Sequence, residues 1–190
     1  MSHNLNVYRD ELMELTLLYS KTKYVMLRIE DFFDETKMHL QPRMEIASAF
    51  DHLMYFLYSV ESSSSDAEKL EAILYDTYKH VHRAFFDFCD WATILFKEAL
   101  AKELSGYTRE TIASAIPSYY TEIRPDYDKL TKQIAEIRGT KTKVKDADID
   151  SYVAVIDALF EHCATVRNAQ VKLLEASKLI VNEPNKPEFD

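Results

Sequence analysis

The chain has 190 residues, 47% of them hydrophobic, and a formal net charge of −9. This length and apolar content suffice for a substantial core, while the negative charge excludes the basic surface expected of a general nucleic-acid binder. Only Gly106 and Gly139 are glycine, against about 7% in an average protein. Because glycine supplies the positive φ of tight turns and phosphate-binding loops, its scarcity predicts long helices joined at few points.

The first helix is predicted from about residue 4 to 35, because apolar residues recur there at heptad spacing. The rows are Leu5, Leu12, Tyr19, Met26 and Phe33, then Tyr8, Leu15, Thr22 and Ile29, with Leu18, Val25 and Phe32 alongside. These flanking residues make the apolar stripe wider than the seam of a two-stranded coiled coil. The width favours a helix within a bundle over a free coiled-coil dimer.

The second helix is predicted from Pro42, which suits a first helical turn, to about Glu61. Its apolar face consists of Ile46, Phe50, Leu53, Leu57 and Val60, widened by Ala47, Met54 and Tyr58. Only a narrow stripe is more polar, and it consists of Glu45, Ser48, His52, Tyr55 and Ser59. A helix that is apolar on most sides is expected at the centre of a bundle.

The third helix follows the polar segment 62–65 and begins after Asp66, which predicts an N-cap. No helix breaker occurs before Gly106, a residue typical of helix C-caps. About 38 residues at 1.5 Å each give a length of about 57 Å. A helix this long predicts an elongated molecule.

The segment after Gly106 is predicted to be broken, because Pro117 and Pro125 each remove a backbone donor. Its three helical pieces are predicted at 108–116, 118–124 and 126–138. A basic loop is expected over Gly139–Lys145. A last long helix is then expected from Asp146 or Asp148 to about Val181.

Together these elements predict an all-α fold, an elongated up-down bundle of four long helices plus a proline-broken segment. Residues 1–183 are expected to form one domain, with 108–145 as an irregular insertion and 184–190 as a disordered tail. No secretory leader or membrane-spanning stretch is found, and Cys89 and Cys163 fall on inward faces. We therefore expect a cytoplasmic protein with two buried, reduced thiols.

A buried polar cluster is predicted around Arg167, because this residue interrupts an apolar row of the last helix and Gln170 occupies the seam nearby. A buried guanidinium needs partners, and the candidates are Glu45, His52 and His82. Three interpretations stay open: a structural network that fixes helix register, a reactive site, or an Arg167 that extends outward on its stem.

The dipeptide Arg167-Asn168 resembles part of the motif of HEPN-type helical RNases. That motif places a polar residue after an arginine, and a histidine after four to six intervening residues, late in an all-helical domain. Here the corresponding positions hold Lys172, Leu173 and Leu174. The resemblance implies a nucleic-acid-acting domain with an incomplete RNase motif.

Two charged surfaces are further candidates. The third helix carries an outward polar row of Asp76, His80, Arg83, Asp87 and Asp90, which is interpreted as a solvated face, a partner surface, or a metal site through Asp76 and His80. The basic loop offers Lys141, Lys143 and Lys145 as anion contacts.

No motif for a nucleophile, a metal centre or a cofactor is found, so no catalytic, cofactor-binding or metal residue is assigned. The sequence favours a non-enzymatic helical module that acts through protein–protein contacts, by self-association or as a subunit of a larger assembly. The alternative is the HEPN-like nucleic-acid-acting domain.

Overall fold

The structure, a computed structural model, describes residues 5–33, 40–62, 66–139 and 149–182. Within these ranges the chain is helical and contains no strand, so the predicted all-α class is confirmed. The seven α-helices described are α1 (Arg9–Phe32), α2 (Leu40–Glu61), α3 (Ala67–Leu104), α4 (Arg109–Ala115), α5 (Arg124–Arg138), α6 (Ile149–Asn168) and α7 (Gln170–Asn182). A 3-10 turn, Leu5–Tyr8, precedes α1, and a π-helical turn, Tyr119–Ile123, leads into α5.

The described residues divide into two compact units. Unit 1 holds α1, α2 and α3 up to Ala92, and unit 2 holds the rest of α3 from Thr93 together with α4, α5, α7 and α6 from Asp150. The single domain over residues 1–183 stays a prediction. None of the described helices combines the length and the apolar character needed to cross a membrane.

Local capping signals fix the ends of α3 and α4. The Asp66 carboxylate accepts a hydrogen bond from the backbone N–H of Lys69 at 2.8 Å, as expected of an N-cap. Gly106 has φ of +86°, a conformation that glycine adopts without steric cost. The Thr108 hydroxyl then accepts from the backbone N–H of Thr111 at 3.2 Å and begins α4.

The central helix is α3, and the prediction that the second helix is central was wrong. The middle of α3 is buried on several sides, and the residues less than 4% exposed there are Val81, His82, Ala84, Phe85, Phe86, Phe88 and Cys89. On α2, Phe50 is 58% exposed while Phe56 is fully buried against Tyr8, with ring centroids 5.2 Å apart. The apolar residues of α2 surround the helix, so their pattern alone could not select the buried side.

The buried face of α1 also differs from the seam that heptad spacing suggests. The row of Tyr8, Leu15, Thr22 and Ile29 is buried, as are Leu18, Val25 and Phe32. The predicted first row is more open, with Leu5 43% and Tyr19 45% exposed. The helix is therefore rotated so that the second row and its flank face the core.

The break predicted at Pro117 is confirmed, since α4 ends at Ala115 and the next helical turn begins at Tyr119, but two other boundaries differ from the prediction. Pro125 occupies the first turn of α5, where its missing N–H is not needed, so α5 begins at Arg124 and is not interrupted. The predicted last helix is two helices, because the N–H of Ala169 bonds the carbonyl of Val166, three residues back, at 3.1 Å. This tighter turn separates α6 from α7.

Several predictions lie outside the described residues. They concern Lys141, Lys143 and Lys145 of the basic loop, the caps Asp146 and Asp148, and the tail 184–190.

A matched pair of substitutions tests which side of α2 is buried. Phe56→Ala is expected to lower the free energy of unfolding by about 3–5 kcal/mol, since it empties a fully buried site. Phe50→Ala is expected to cost less than about 1 kcal/mol, since that ring is mostly exposed. Urea denaturation measures both, and equal losses would contradict the assignment.

Candidate functional site

A cluster of polar side chains joins α2 to α3 in unit 1. His80 Nδ1 lies 2.7 Å from Glu45 Oε2, and the ring of His52 stacks on that of His80 with centroids 5.1 Å apart. Arg83 approaches the same carboxylate oxygen at 3.6 Å. We call Glu45, His52, His80 and Arg83 the histidine cluster.

The side chains of the histidine cluster contact one another. Glu45 is engaged by His80 and Arg83, and the side chains of Glu45 and His80 are only 13% and 19% exposed. At its edge, a hydrogen bond from Lys79 lowers the pKa of Asp76, and the charges of Lys79, His52 and His80 act in the same direction. Across the described ranges no three His, Cys, Asp or Glu side chains converge to hold a metal ion. The arrangement therefore supports a structural role, in which these side chains connect α2 to α3.

The structure places His80, not His82, beside Glu45 and His52. His82 is 1% exposed and lies among aromatic rings, 6.4 Å from that of Tyr78 and 4.9 Å from that of Phe86. Residues two apart on a helix point to different sides. Only the positions of the neighbouring helices decide which histidine meets α2.

Arg167 and Gln170 belong to unit 2 and meet the end of α3 there. Gln170 Nε2 donates to the backbone carbonyl of Glu103 at 3.0 Å, one of the carbonyls that a helix end leaves without an internal partner. Arg167 Nε lies 3.4 Å from Glu103 Oε1, and its side chain is 40% exposed. The five residues of the predicted cluster are thus divided between the units. Glu45 and His52 contact His80 in unit 1, where His82 lies separately among aromatic rings. Arg167 and Gln170 contact Glu103 in unit 2.

Arg167 neighbours a thiol that is held in its neutral form. Cys163 Sγ donates to the carbonyl of Phe96 at 3.3 Å. Burial raises the pKa of the Cys163 thiol to about 12, against an opposing effect of Arg167 and a small additional increase from Glu103. A protonated buried thiol is neither a nucleophile nor a metal ligand.

Sequence reasoning missed a second histidine–carboxylate pair. His162 Nε2 lies 2.8 Å from Asp126 Oδ2 and joins α6 to α5. No local motif marks this pair, because its members are 36 residues apart.

The predicted outward row of α3 is mostly engaged within the chain. Asp76 pairs with Lys79 at 2.6 Å, while His80 and Arg83 approach Glu45. Asp87 and Asp90 are half-buried and also have interaction partners. The row therefore offers little free charge to a partner.

Unit 1 instead exposes apolar surface on α2. We call this the α2 stripe, and its members are Leu40, Met44, Phe50, Met54 and Tyr58, which are 41–67% exposed. Most successive members of the stripe are four residues apart. This is the spacing of a helix face that packs on another helix.

A groove runs beside the α2 stripe. Its volume is about 370 Å³, and its lining residues are Leu12, Leu15, Thr16 and Tyr19 of α1, Ile46, Ala49, Phe50 and Leu53 of α2, and Thr77 and Val81 of α3. We call it the α1–α2 groove. Phe50 borders both the groove and the stripe, so the two form one apolar surface.

The chain matches no family model, and no curated protein or solved structure resembles it significantly. Function is therefore argued from the surfaces and side chains of the chain itself.

Thiol labelling tests the state of the cysteines. Because Cys89 and Cys163 are buried, neither is expected to react with a disulfide reagent in the native protein at pH 8, and both should react in urea. The unfolded Cys163 thiol ionises near pH 9 and the folded one near pH 12. The stabilising contribution of the neutral thiol is thus complete below pH 9 and is lost as the pH rises toward 12. One rapidly labelled thiol in the native protein would contradict this description.

A double-mutant cycle tests the contacts of Glu103. Arg167→Ala and Glu103→Ala are expected to couple by about 0–1 kcal/mol, as for a partly exposed ion pair. Gln170→Ala is expected to cost about 1 kcal/mol and to cost the same in the Glu103→Ala background, since Gln170 binds the backbone. Urea denaturation gives all the values, and strong coupling between positions 103 and 170 would contradict the backbone contact.

Proposed function

We propose that this protein is a non-enzymatic helical module that docks an amphipathic helix of a protein partner onto the α1–α2 groove and the α2 stripe. The observation that carries the proposal is the exposed position of Phe50 and its apolar neighbours on α2. Apolar side chains grouped on one surface are typical of interaction sites.

The shape of this surface supports a helix as the occupant. The groove lies between two helices, and the stripe presents side chains at helical intervals. A partner helix with anchors at i, i+3, i+4 and i+7 would place them in such a groove. The buried free thiols favour action in a reducing compartment, so we place the module in the cytoplasm.

Charge favours a partner protein over a second copy of this chain. Each copy carries a net charge of −9, and like charges oppose association. Asp51 is exposed next to Phe50, which favours a partner helix with basic residues beside its apolar face. The HEPN-like alternative gains no support, because Arg167 approaches Glu103 and Leu173 is buried.

Selection from a displayed library of helix-forming peptides tests the docking surface. Peptides that bind the protein are expected to share apolar residues at i, i+3, i+4 and i+7 and to carry basic flanks. Phe50→Glu and Met54→Glu should each weaken a selected peptide by about 30-fold or more, as expected for central anchors of an interface. Calorimetry with the purified protein gives the affinities.

Val171→Glu is the matched control, because Val171 is 66% exposed on α7 in unit 2. It is expected to bind the selected peptides as the wild type does. Peptides that are insensitive to Phe50→Glu, or that bind without helical spacing, would contradict the docking surface. A wild-type dimer in sedimentation equilibrium that Phe50→Glu dissociates would replace the partner helix with a second copy.

A further inference from the structure

A second cavity in unit 1 has a different chemistry from the groove and shares no lining residue with it. It lies between the beginning of α1 and the first turns of α3, and its volume is about 220 Å³. Three tyrosines, Tyr8, Tyr75 and Tyr78, and three glutamates, Glu11, Glu14 and Glu71, line it. We call it the tyrosine–glutamate cavity.

Helical spacing brings these side chains together. Tyr8, Glu11 and Glu14 are three residues apart, and Glu71, Tyr75 and Tyr78 follow at intervals of four and three. Each set therefore projects from one side of its helix. The packing of α1 against α3 turns the two sets toward the same space.

The carboxylates of the cavity have no cationic partner in the described part of the chain. Among the residues that the structure describes, none forms an ion pair or hydrogen bond with the side chain of Glu11, Glu14 or Glu71. The nearby cation Lys79 is held by Asp76 at 2.6 Å. All three glutamates are exposed, so water screens their mutual repulsion, and their combined negative charge attracts a cation.

Tyr8 supplies an independent sign of a ligand site. It is 3% exposed, and its hydroxyl makes no hydrogen bond to any residue in the described part of the chain. Burial raises the pKa of Tyr8, and the charges of Glu71 and Glu11 raise it further. Tyr8 lines the cavity together with both of these glutamates.

The tyrosine rings add a second attraction for a cation. Burial and the charge of Glu14 raise the pKa of Tyr78, so its ring stays neutral and keeps an electron-rich face. Lys79 Nζ already lies 5.0 Å from the centroid of the Tyr75 ring, which is the geometry of a cation–π contact. Rings and carboxylates around one space are the groups that bind organic ammonium ions.

We propose that the tyrosine–glutamate cavity binds an alkylammonium group. Its volume of about 220 Å³ is below the roughly 300–1,000 Å³ of pockets for drug-sized molecules, so it suits one ammonium headgroup. The group belongs to a free amine or to the side chain of a lysine in a protein, and both present the same cation to Glu14, Glu71 and Tyr75.

Titration with choline tests the cavity, and 3,3-dimethyl-1-butanol, which has the same shape and no charge, is the matched ligand control. The N-methyl proton signal of choline is expected to shift upfield on binding, because it lies over tyrosine rings, and the alcohol should bind at least about tenfold more weakly. A peptide with one trimethyl-lysine is the second arm. If choline binds more tightly than the peptide, the natural ligand is a free amine. If the peptide binds more tightly, the natural ligand is a lysine side chain of a protein.

Variants locate the binding. Glu71→Gln and Tyr75→Ala should each weaken choline binding about tenfold, while Tyr75→Phe should retain it. Glu68→Gln, on α3 but outside the cavity, and Tyr55→Ala, exposed on α2, should bind as the wild type does. Melting temperature provides a second readout, since Glu14→Gln should leave it unchanged or raise it by removing repulsion.

Three results would overturn the proposal. They are the absence of choline and peptide binding, equal binding of the uncharged alcohol, and equal weakening by Glu68→Gln and Glu71→Gln. Equal weakening by the two variants would mean that choline is attracted by the overall negative charge of the protein. If the docking experiment fails, the choline titration can still be interpreted, because Phe50→Glu changes no residue of the cavity.

Discussion

The burial of aromatic side chains around the middle of α3 is the constraint on which unit 1 depends. Phe85, Phe86 and Phe88 point to different sides of the helix, because successive residues are about 100° apart, and all three are buried. Neighbouring helices must therefore cover α3 on more than one side. In unit 1, α1 and α2 lie beside Thr77 and Val81 of α3, and each exposes part of its apolar surface. The exposed part contributes to the α1–α2 groove and the α2 stripe.

Polar contacts join helices within each unit. Glu45 with His80 in unit 1, and Gln170 with Glu103 in unit 2, each join side chains or backbone far apart in sequence. Partly exposed pairs of this kind contribute at most about 1 kcal/mol each, yet they are satisfied only in one alignment of the helices. Glu45, Arg167 and Gln170 thus each contact a neighbouring helix, and the functional proposals are argued from surface features.

Both proposed binding features use groups that the fold itself does not need. Phe50 adds little to the core at 58% exposure, and Glu11, Glu14 and Glu71 are exposed carboxylates of like charge. Natural proteins retain such groups where function requires them, at some loss of stability. The two features share α1 and α3 as walls but no lining residue, so each is open to separate test.

The sequence by itself determined the helical class and the ends of α3 and the beginning of α4, since these depend on local chemistry: Asp66 and Thr108 cap neighbouring backbone N–H groups, and Gly106 adopts positive φ. Tertiary structure decided which sides of the helices are buried. The pattern of α2 is apolar all round, so only the shape of its neighbours selects Phe56 over Phe50. The same cause decides that His80, and not His82, contacts α2, and that Tyr8 and Glu71 line one cavity. These contacts join residues at least 28 positions apart in the sequence. Their approach depends on how whole helices pack, which the local spacing of residues does not show.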